Sequence, residues 1–410
     1  MKRLLSIVLI TALGAMGLAG CSSEEAKTVG ASGKVNEVKI GQLHPLSGAL
    51  AIEGQEMRDA IKMAVDEKNE AGGIKSLGGA KVTLLDSDHE GKPEKGITET
   101  QRLIRKGALG VLGTYTSGVA MAASQEAERR KTPFLITIAT ADEVTERGFA
   151  YTFRIQPNAT MMSENFLKYF KQLNEKENAG LKTAVLVHED SVFGTSIANH
   201  IRKNADKAGL KILADMPHSA KTSDLTSDVR KIASLKPDVV IVTTYLNDGN
   251  LLFQGMKQSG VKPKAVIGVA NGALSNANFI AEETGVNQYM MDVNYTINSK
   301  EERAQALKKK FKEKYNKNLG PNAAYSYESA RILIEAIERA GTTDKTKIRD
   351  EIAKMQDKNH ILPQDAIMFD KTGQNINAQA TLNQIVDGKS LIVYPETYKE
   401  ANLHLPVQGK

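Results

Sequence analysis

Cysteine is almost absent from this sequence: Cys21 stands alone among 410 residues. A lone cysteine excludes an intrachain disulfide and a cluster of metal thiolates. Beyond residue 20 no apolar run approaches the roughly 20 residues that a membrane-spanning helix needs, so the body of the chain offers no span. An excess of one charge is lacking too. The 54 basic and 48 acidic residues leave a net charge of +6, and bases alternate with acids, as in Glu301-Glu302-Arg303. The densest basic cluster, residues 308–317, holds only two aromatics, Phe311 and Tyr315, one helical turn apart, so it reads as a solvated helix face and nucleic acid is not expected as a partner.

Catalytic and cofactor motifs are missing as well. Gly388-Lys389-Ser390 would end a phosphate loop, but Asn383 stands where its first glycine must be. Asp86-Ser87-Asp88 with Gly91 opens like a calcium loop and then places Ile97 at the position of the bidentate glutamate. His188-Glu189 begins a zinc-protease helix that Val192 ends, because the second histidine is absent. No nucleophile elbow and no dinucleotide glycine fingerprint follows any strand. An enzyme, a metal and a cofactor are all unexpected.

What is present begins at the N-terminus. Lys2 and Arg3 precede an uncharged, mostly apolar stretch from residue 4 to residue 20, which ends in Leu18-Ala19-Gly20-Cys21. This resembles a bacterial lipoprotein signal, with a positive start, a short apolar region and small residues before a cysteine that becomes the lipidated first residue. The expectation is an exported chain, cut after residue 20 and anchored through lipid on Cys21, facing the periplasm or the cell exterior. Residues 21–36 are small and polar, without a period, and suit a flexible tether.

From Val38 onward one theme repeats: a short β-branched run, a turn, then apolar residues at helical spacing. Strands are expected at 38–43, 81–85, 109–112, 134–138 and 151–155, with helices at 54–69, 93–106 and 117–130. A second run follows, with strands at 183–187, 211–215, 238–243 and 265–269 and helices at 160–173, 193–208, 225–235 and 251–259. Two successive runs of alternating β and α predict two α/β lobes with doubly wound parallel sheets. Helices at 304–315 and 323–340 and strands at 366–369 and 382–386 complete the chain.

The residues left unexplained sit at strand ends: Pro45-Leu46-Ser47-Gly48, residues 113–118, residues 138–148 and His188 to Gly194. In open parallel sheets ligands bind at such ends. Together these segments resemble the leucine/isoleucine/valine-binding family of periplasmic solute-binding proteins, which serve branched-chain amino acid ABC transporters, from about residue 38 to about residue 395. The resemblance implies a type I periplasmic-binding-protein fold with a hinge of several chain crossings. The crossings are expected near 156–157, 292–294 and 362–363, which puts 37–156 with 294–362 in one lobe and 157–293 with 363–400 in the other.

The same resemblance gives roles to residues. Ser117 would grip a ligand carboxylate at a helix start, and Ile138, Ala139 and Thr140 would add backbone groups and a hydroxyl. Phe193 would cover the ligand, with Tyr245 in the next candidate loop. Family members that bind amino acids hold the ammonium with an acid near the loop after 265–269. Here that loop is Ala270-Asn271-Gly272-Ala273, so Asn271 stands there without charge, and a ligand ammonium would need Asp248, Asp190 or Glu53 as a substitute. Glu53 occupies a position where relatives often carry an aromatic. The expected partners are a small amino acid or related carboxylate, an ABC permease and, through the lipid, a membrane, with the protein itself a monomer. A sensor input protein and a binder of non-amino acids or amides remain the alternatives.

Overall fold

The computed structural model describes residues 35–282 and 285–405; Cys21, the leader and most of the expected tether lie outside them. The first sheet is formed by β1 (Glu37–Leu43), β2 (Lys81–Leu85), β3 (Ala108–Gly113), β4 (Phe134–Ile136) and β5 (Thr152–Arg154), in the order β2-β1-β3-β4-β5 and parallel throughout. Its helices are α1 (Ala51–Glu70), α2 (Pro93–Arg105) and α3 (Ser117–Arg129). Strand β3 is buried along its whole length, as a central strand covered on both faces must be.

The second lobe repeats this order. Strands β6 (Thr183–Glu189), β7 (Lys211–His218), β8 (Val239–Thr243), β9 (Ala265–Val269) and β10 (Met291–Asn294) lie as β7-β6-β8-β9-β10, all parallel. Helices α4 (Ala159–Glu175), α5 (Val192–Asn204), α6 (Thr226–Leu235), α7 (Leu246–Gln258) and α8 (Ala277–Ile280) accompany them. The chain then returns to the first lobe with α9 (Glu302–Tyr315), α10 (Pro321–Ala340) and α11 (Lys345–Ala353), α10 packing along α1 and α11 along α10. A two-residue pair, β11 (Gln356–Asp357) and β12 (Ile367–Met368), follows. The last two strands, β13 (Thr381–Val386) and β14 (Lys389–Tyr394), extend the second sheet past β10, and both pairings are antiparallel.

Several expectations shift. The second sheet is mixed, because β13 returns antiparallel to β10 and Asp387 and Gly388, at φ 48° and 71°, then turn the chain tightly between β13 and β14. Asp-Gly is a favoured pair for such a hairpin, and it explains why Gly388-Lys389-Ser390 is a turn and strand start. Helix α7 begins at Leu246, five residues before the start expected from apolar spacing alone. Helix α11 carries only two buried apolar residues, Ile348 and Ile352, too few to show a period. The chain leaves the first sheet after Arg154 and the second after Asn294. The third crossing falls later than Pro363, since Gln374 still pairs with Arg154 and the Asn375 amide donates to the Ile155 carbonyl. Among the described residues no helix is long and apolar enough to cross a membrane.

Candidate functional site

Each sheet reverses its winding between two neighbouring strands, β1 and β3 in the first lobe and β6 and β8 in the second. The loops that leave these strands diverge and open a crevice at their carboxyl ends. Four helix starts therefore converge there: α1 and α3 from one lobe, α5 and α7 from the other. Two glycines bring the helices close. A Cβ on Gly54 would stand 1.8 Å from the Pro45 carbonyl oxygen, and one on Gly194 would stand 2.1 Å from that of Glu189. Any larger residue would push the start of α1 or α5 away from its strand end.

Between the lobes lies a cavity of about 20 Å³. The first lobe lines it with Tyr115, Ile138 and Thr140, and the second with Phe193, Thr244, Tyr245, Ala270, Gly272 and Ser275. Tyr295, just past the second crossing, and Asn322 in the first turn of α10 close the hinge side, their side chains bonded at 2.8 Å. The rings of Tyr115 and Tyr245 meet across the lobes at 5.4 Å, and Phe193 lies 5.1 Å from Tyr245. The Asn247 amide also reaches the Ala49 carbonyl at 3.3 Å. The lobes are thus closed on one another, and a space this small holds about one water. Entry of a solute requires them to part.

The residues singled out from sequence divide into three groups. Ile138, Thr140, Phe193 and Tyr245 line the cavity. Ser117 and Glu53 do not line it and are buried, 1 % and 2 % exposed. The Ser117 hydroxyl oxygen accepts from the Ala141 N–H at 3.3 Å, which ties α3 to the 138–141 loop and leaves its proton to donate. Ala139 and Asn271 are braces. The Ala139 N–H donates to the Thr114 carbonyl and its own carbonyl accepts from Arg154 and Gln156, so its backbone is spent. The Asn271 amide donates to Thr244 and the Val242 carbonyl while its oxygen accepts from the Leu274 N–H, and this shapes the acid-free loop. Asp190 is exposed and does not line the cavity. Tyr115, Tyr295 and Asn322 were not singled out. Tyr115 lies between Gly113 and Ser117 in a segment already marked by its strand end, whereas the other two reach the cavity only through the return of the chain.

Polar atoms without a protein partner mark what the site lacks. They include the Thr140 hydroxyl, both carboxylate oxygens of Glu53 and Oδ1 of Asp248. Asp248 is fully buried in the first turn of α7, with its other oxygen 3.0 Å from His218 Nε2. Burial pushes the carboxyls of Glu53 and Asp248 upward, the His218 contact partly opposing this for Asp248. Burial also holds the Tyr115 and Tyr245 phenols well above their ordinary range, and the charges of Glu53 and Asp248 near Tyr115 and of Glu189 and Asp248 near Tyr245 add to it. Glu189 itself is satisfied by Ser191 and the Gly194 N–H. No lysine or arginine lines the cavity. Nor does any acid, Glu53 and Asp248 standing outside its lining, and hydrogen-bond capacity is unspent on both lobes. Among the described residues no group of three or more histidine, cysteine, aspartate or glutamate side chains is placed to hold a metal ion.

Comparison with known proteins agrees with this architecture. The family profile described as periplasmic binding protein matches residues 37–389. The chain is 31 % identical over 401 residues to Leu/Ile/Val-binding protein homolog 7 of Brucella suis biovar 1 (strain 1330), covering 94 % of this chain and 98 % of that one. It is 32 % identical over 371 residues to homolog 8 of Brucella abortus (strain 2308), covering 88 % and 91 %. Among solved structures, the branched-chain amino acid transporter substrate binding protein LivJ of Streptococcus pneumoniae, in complex with isoleucine, superposes with a TM-score of 0.76 at 23 % identity, covering 86 % of this chain and 97 % of that one. A solute binding protein of an ABC transporter from Rhodopseudomonas palustris BisB5, in complex with 3,4-dihydroxy benzoic acid, gives 0.75 at 18 % identity, with 87 % and 95 % covered. The chain belongs to the periplasmic binding protein family and is a non-enzymatic, extracytoplasmic solute-binding protein of the two-lobed type I fold.

Proposed function

We propose that this protein is the lipid-anchored solute receptor of an ABC importer and that its ligand is an α-amino acid, held by its carboxylate on the first lobe and its ammonium on the second. The observation that carries the reading is Asp248. It is fully buried and keeps one carboxylate oxygen unpartnered, a costly state for a charge unless a cation meets it. Opposite it, Ser117 offers a hydroxyl at the start of α3, where unbonded N–H groups and the helix dipole favour an anion, and Thr140 offers another from the 138–141 loop bonded to Ser117. The names of the Brucella relatives and the isoleucine bound to the Streptococcus protein support an amino acid. The dihydroxybenzoate complex is an example of the same fold holding an acid without an ammonium, and such a ligand would leave Asp248 unmatched here.

Calorimetric titration of an amino acid panel tests this. Thr140→Val and Ser117→Ala are each expected to weaken the best ligand by about 1.5–3 kcal/mol, the range for a hydrogen bond to a charged group. Unchanged affinity in both variants would remove the carboxylate grip. The anchor has its own test. Membrane-derived protein is expected to begin at an acylated Cys21 and to partition into detergent, and Cys21→Ser to yield an unprocessed or freely soluble form. A different first residue without lipid would overturn it.

A further inference from the structure

Asp248 accounts for one ammonium, and Glu53 remains. It is 2 % exposed, and neither carboxylate oxygen is bonded by another residue. Its position at the start of α1 places it on the other flank of the first crevice from α3, close enough to Tyr115 for its charge to act on that phenol. The bases nearby are committed elsewhere. Lys317, on the flank of Glu56, is bound to Asp59 at 3.0 Å, and Arg58 to the same aspartate at 2.7 Å. An amino acid with an apolar side chain offers a single ammonium, so with that group on Asp248, which also meets His218, Glu53 would have no cation, and no lysine or arginine lines the cavity itself.

Resting on the α-amino acid reading, we propose that the ligand carries a second cationic group, an amine or guanidinium on its side chain, and that Glu53 receives it. The first lobe then supplies both a carboxylate grip at α3 and a cation site at α1, and the second lobe supplies Asp248. The charges balance: two cationic groups meet two carboxylates, and the ligand carboxylate meets hydroxyls and the positive end of α3. The rings of Tyr115, Tyr245 and Phe193 add an aromatic wall against which a cation is further stabilised.

The test is calorimetric titration of the purified protein with lysine, ornithine, arginine, leucine, glutamine and 1,5-diaminopentane. Basic amino acids are expected to bind tightest. Glu53→Gln is expected to weaken them about 100-fold or more, the scale on which a buried charge deprived of its partner is penalised, and to leave leucine within about threefold because no bond to it is lost. The melting temperature of the unliganded variant is expected to hold or rise, since an unpaired buried charge has been removed, and Glu53→Asp serves as a second variant that keeps the charge but withdraws it. Leucine or glutamine binding more tightly than every basic amino acid, or basic ligands indifferent to Glu53→Gln, overturns the assignment while the α-amino acid reading stands. Binding of the diamine with no binding of any amino acid overturns the α-amino acid reading while Glu53 keeps its role. No binding by any of the six overturns both.

Discussion

Asp248→Asn is expected to weaken an α-amino acid ligand by roughly 3–5 kcal/mol, the cost of leaving a buried charge without its partner, and to leave the deaminated analogue of that ligand nearly unaffected. The same substitution is expected to stabilise the unliganded protein at neutral pH. Burial raises the carboxyl of Asp248 above its ordinary range, against the His218 contact. The folded state then holds its proton to higher pH than the unfolded chain does, so folding stability falls as pH rises through the interval between the two pKa values. Above that interval the full cost of burying the charge is present, and below it the cost is gone. The melting temperature of the variant should therefore exceed that of the wild type at pH 7, with the gain vanishing in acid. Weaker binding joined to higher stability is a pairing that a merely structural aspartate would not give. Equal losses for amino acid and deaminated analogue would place Asp248 outside the ammonium site.

The sequence carried much of this architecture, and the reasons can be followed residue by residue. Strands β1 to β9 alternate with helices whose apolar periods are long enough to read, so both lobes were legible, whereas β10 lies where the sequence suggested only a crossing. Strand ends such as Pro45-Leu46-Ser47-Gly48 pointed to the crevice because parallel sheets expose ligands there. What escaped depends on contacts distant in sequence. Tyr295 and Asn322 join the cavity because the chain crosses the hinge and returns, and no local pattern marks that. The early start of α7 was hidden because Asn247-Asp248-Gly249 has the composition of a turn, yet it is this start that buries Asp248 in a first helical turn. Asn271 occupied the expected acid position, and only the surrounding bonds reveal it as a brace. Pro363 suggested a crossing that falls after Asn375, since pairing of Gln374 with Arg154 holds the chain against the first sheet for another twelve residues.

Arg154→Met is expected to be the most damaging change that touches no ligand. The guanidinium is fully buried and makes no contact with a carboxylate. Burial lowers its pKa to about 10, so it stays charged at neutral pH and must be solvated by the protein itself. Nε donates to Gln374 Oε1 at 2.7 Å, Nη1 to the carbonyls of Ala141 and Ala139 at 2.8 and 3.2 Å, and Nη2 to Thr145 Oγ1 at 2.9 Å. One side chain thus ties the end of β5 to the loop that presents Thr140 and to the segment entering the third crossing. Methionine fills most of the volume and removes every donor. Each buried acceptor left unmet costs about 1–3 kcal/mol, so a loss of at least about 3 kcal/mol is expected even if only some of them find water. With an unfolding entropy of about 2.1 cal/mol/K per residue over roughly 370 residues, that corresponds to a fall in melting temperature of about 4 °C. Arg154→Lys is expected to recover only part of the loss, because an ammonium cannot span the directions of a planar fork. Binding measured at a temperature where both proteins are folded should also weaken. Freed from Arg154, the 139–141 carbonyls can rotate and carry Thr140 away from Ser117, whose hydroxyl is fixed to Ala141. A methionine variant that melts within about 1 °C of the wild type and binds as tightly would show that the 138–141 loop is held without Arg154.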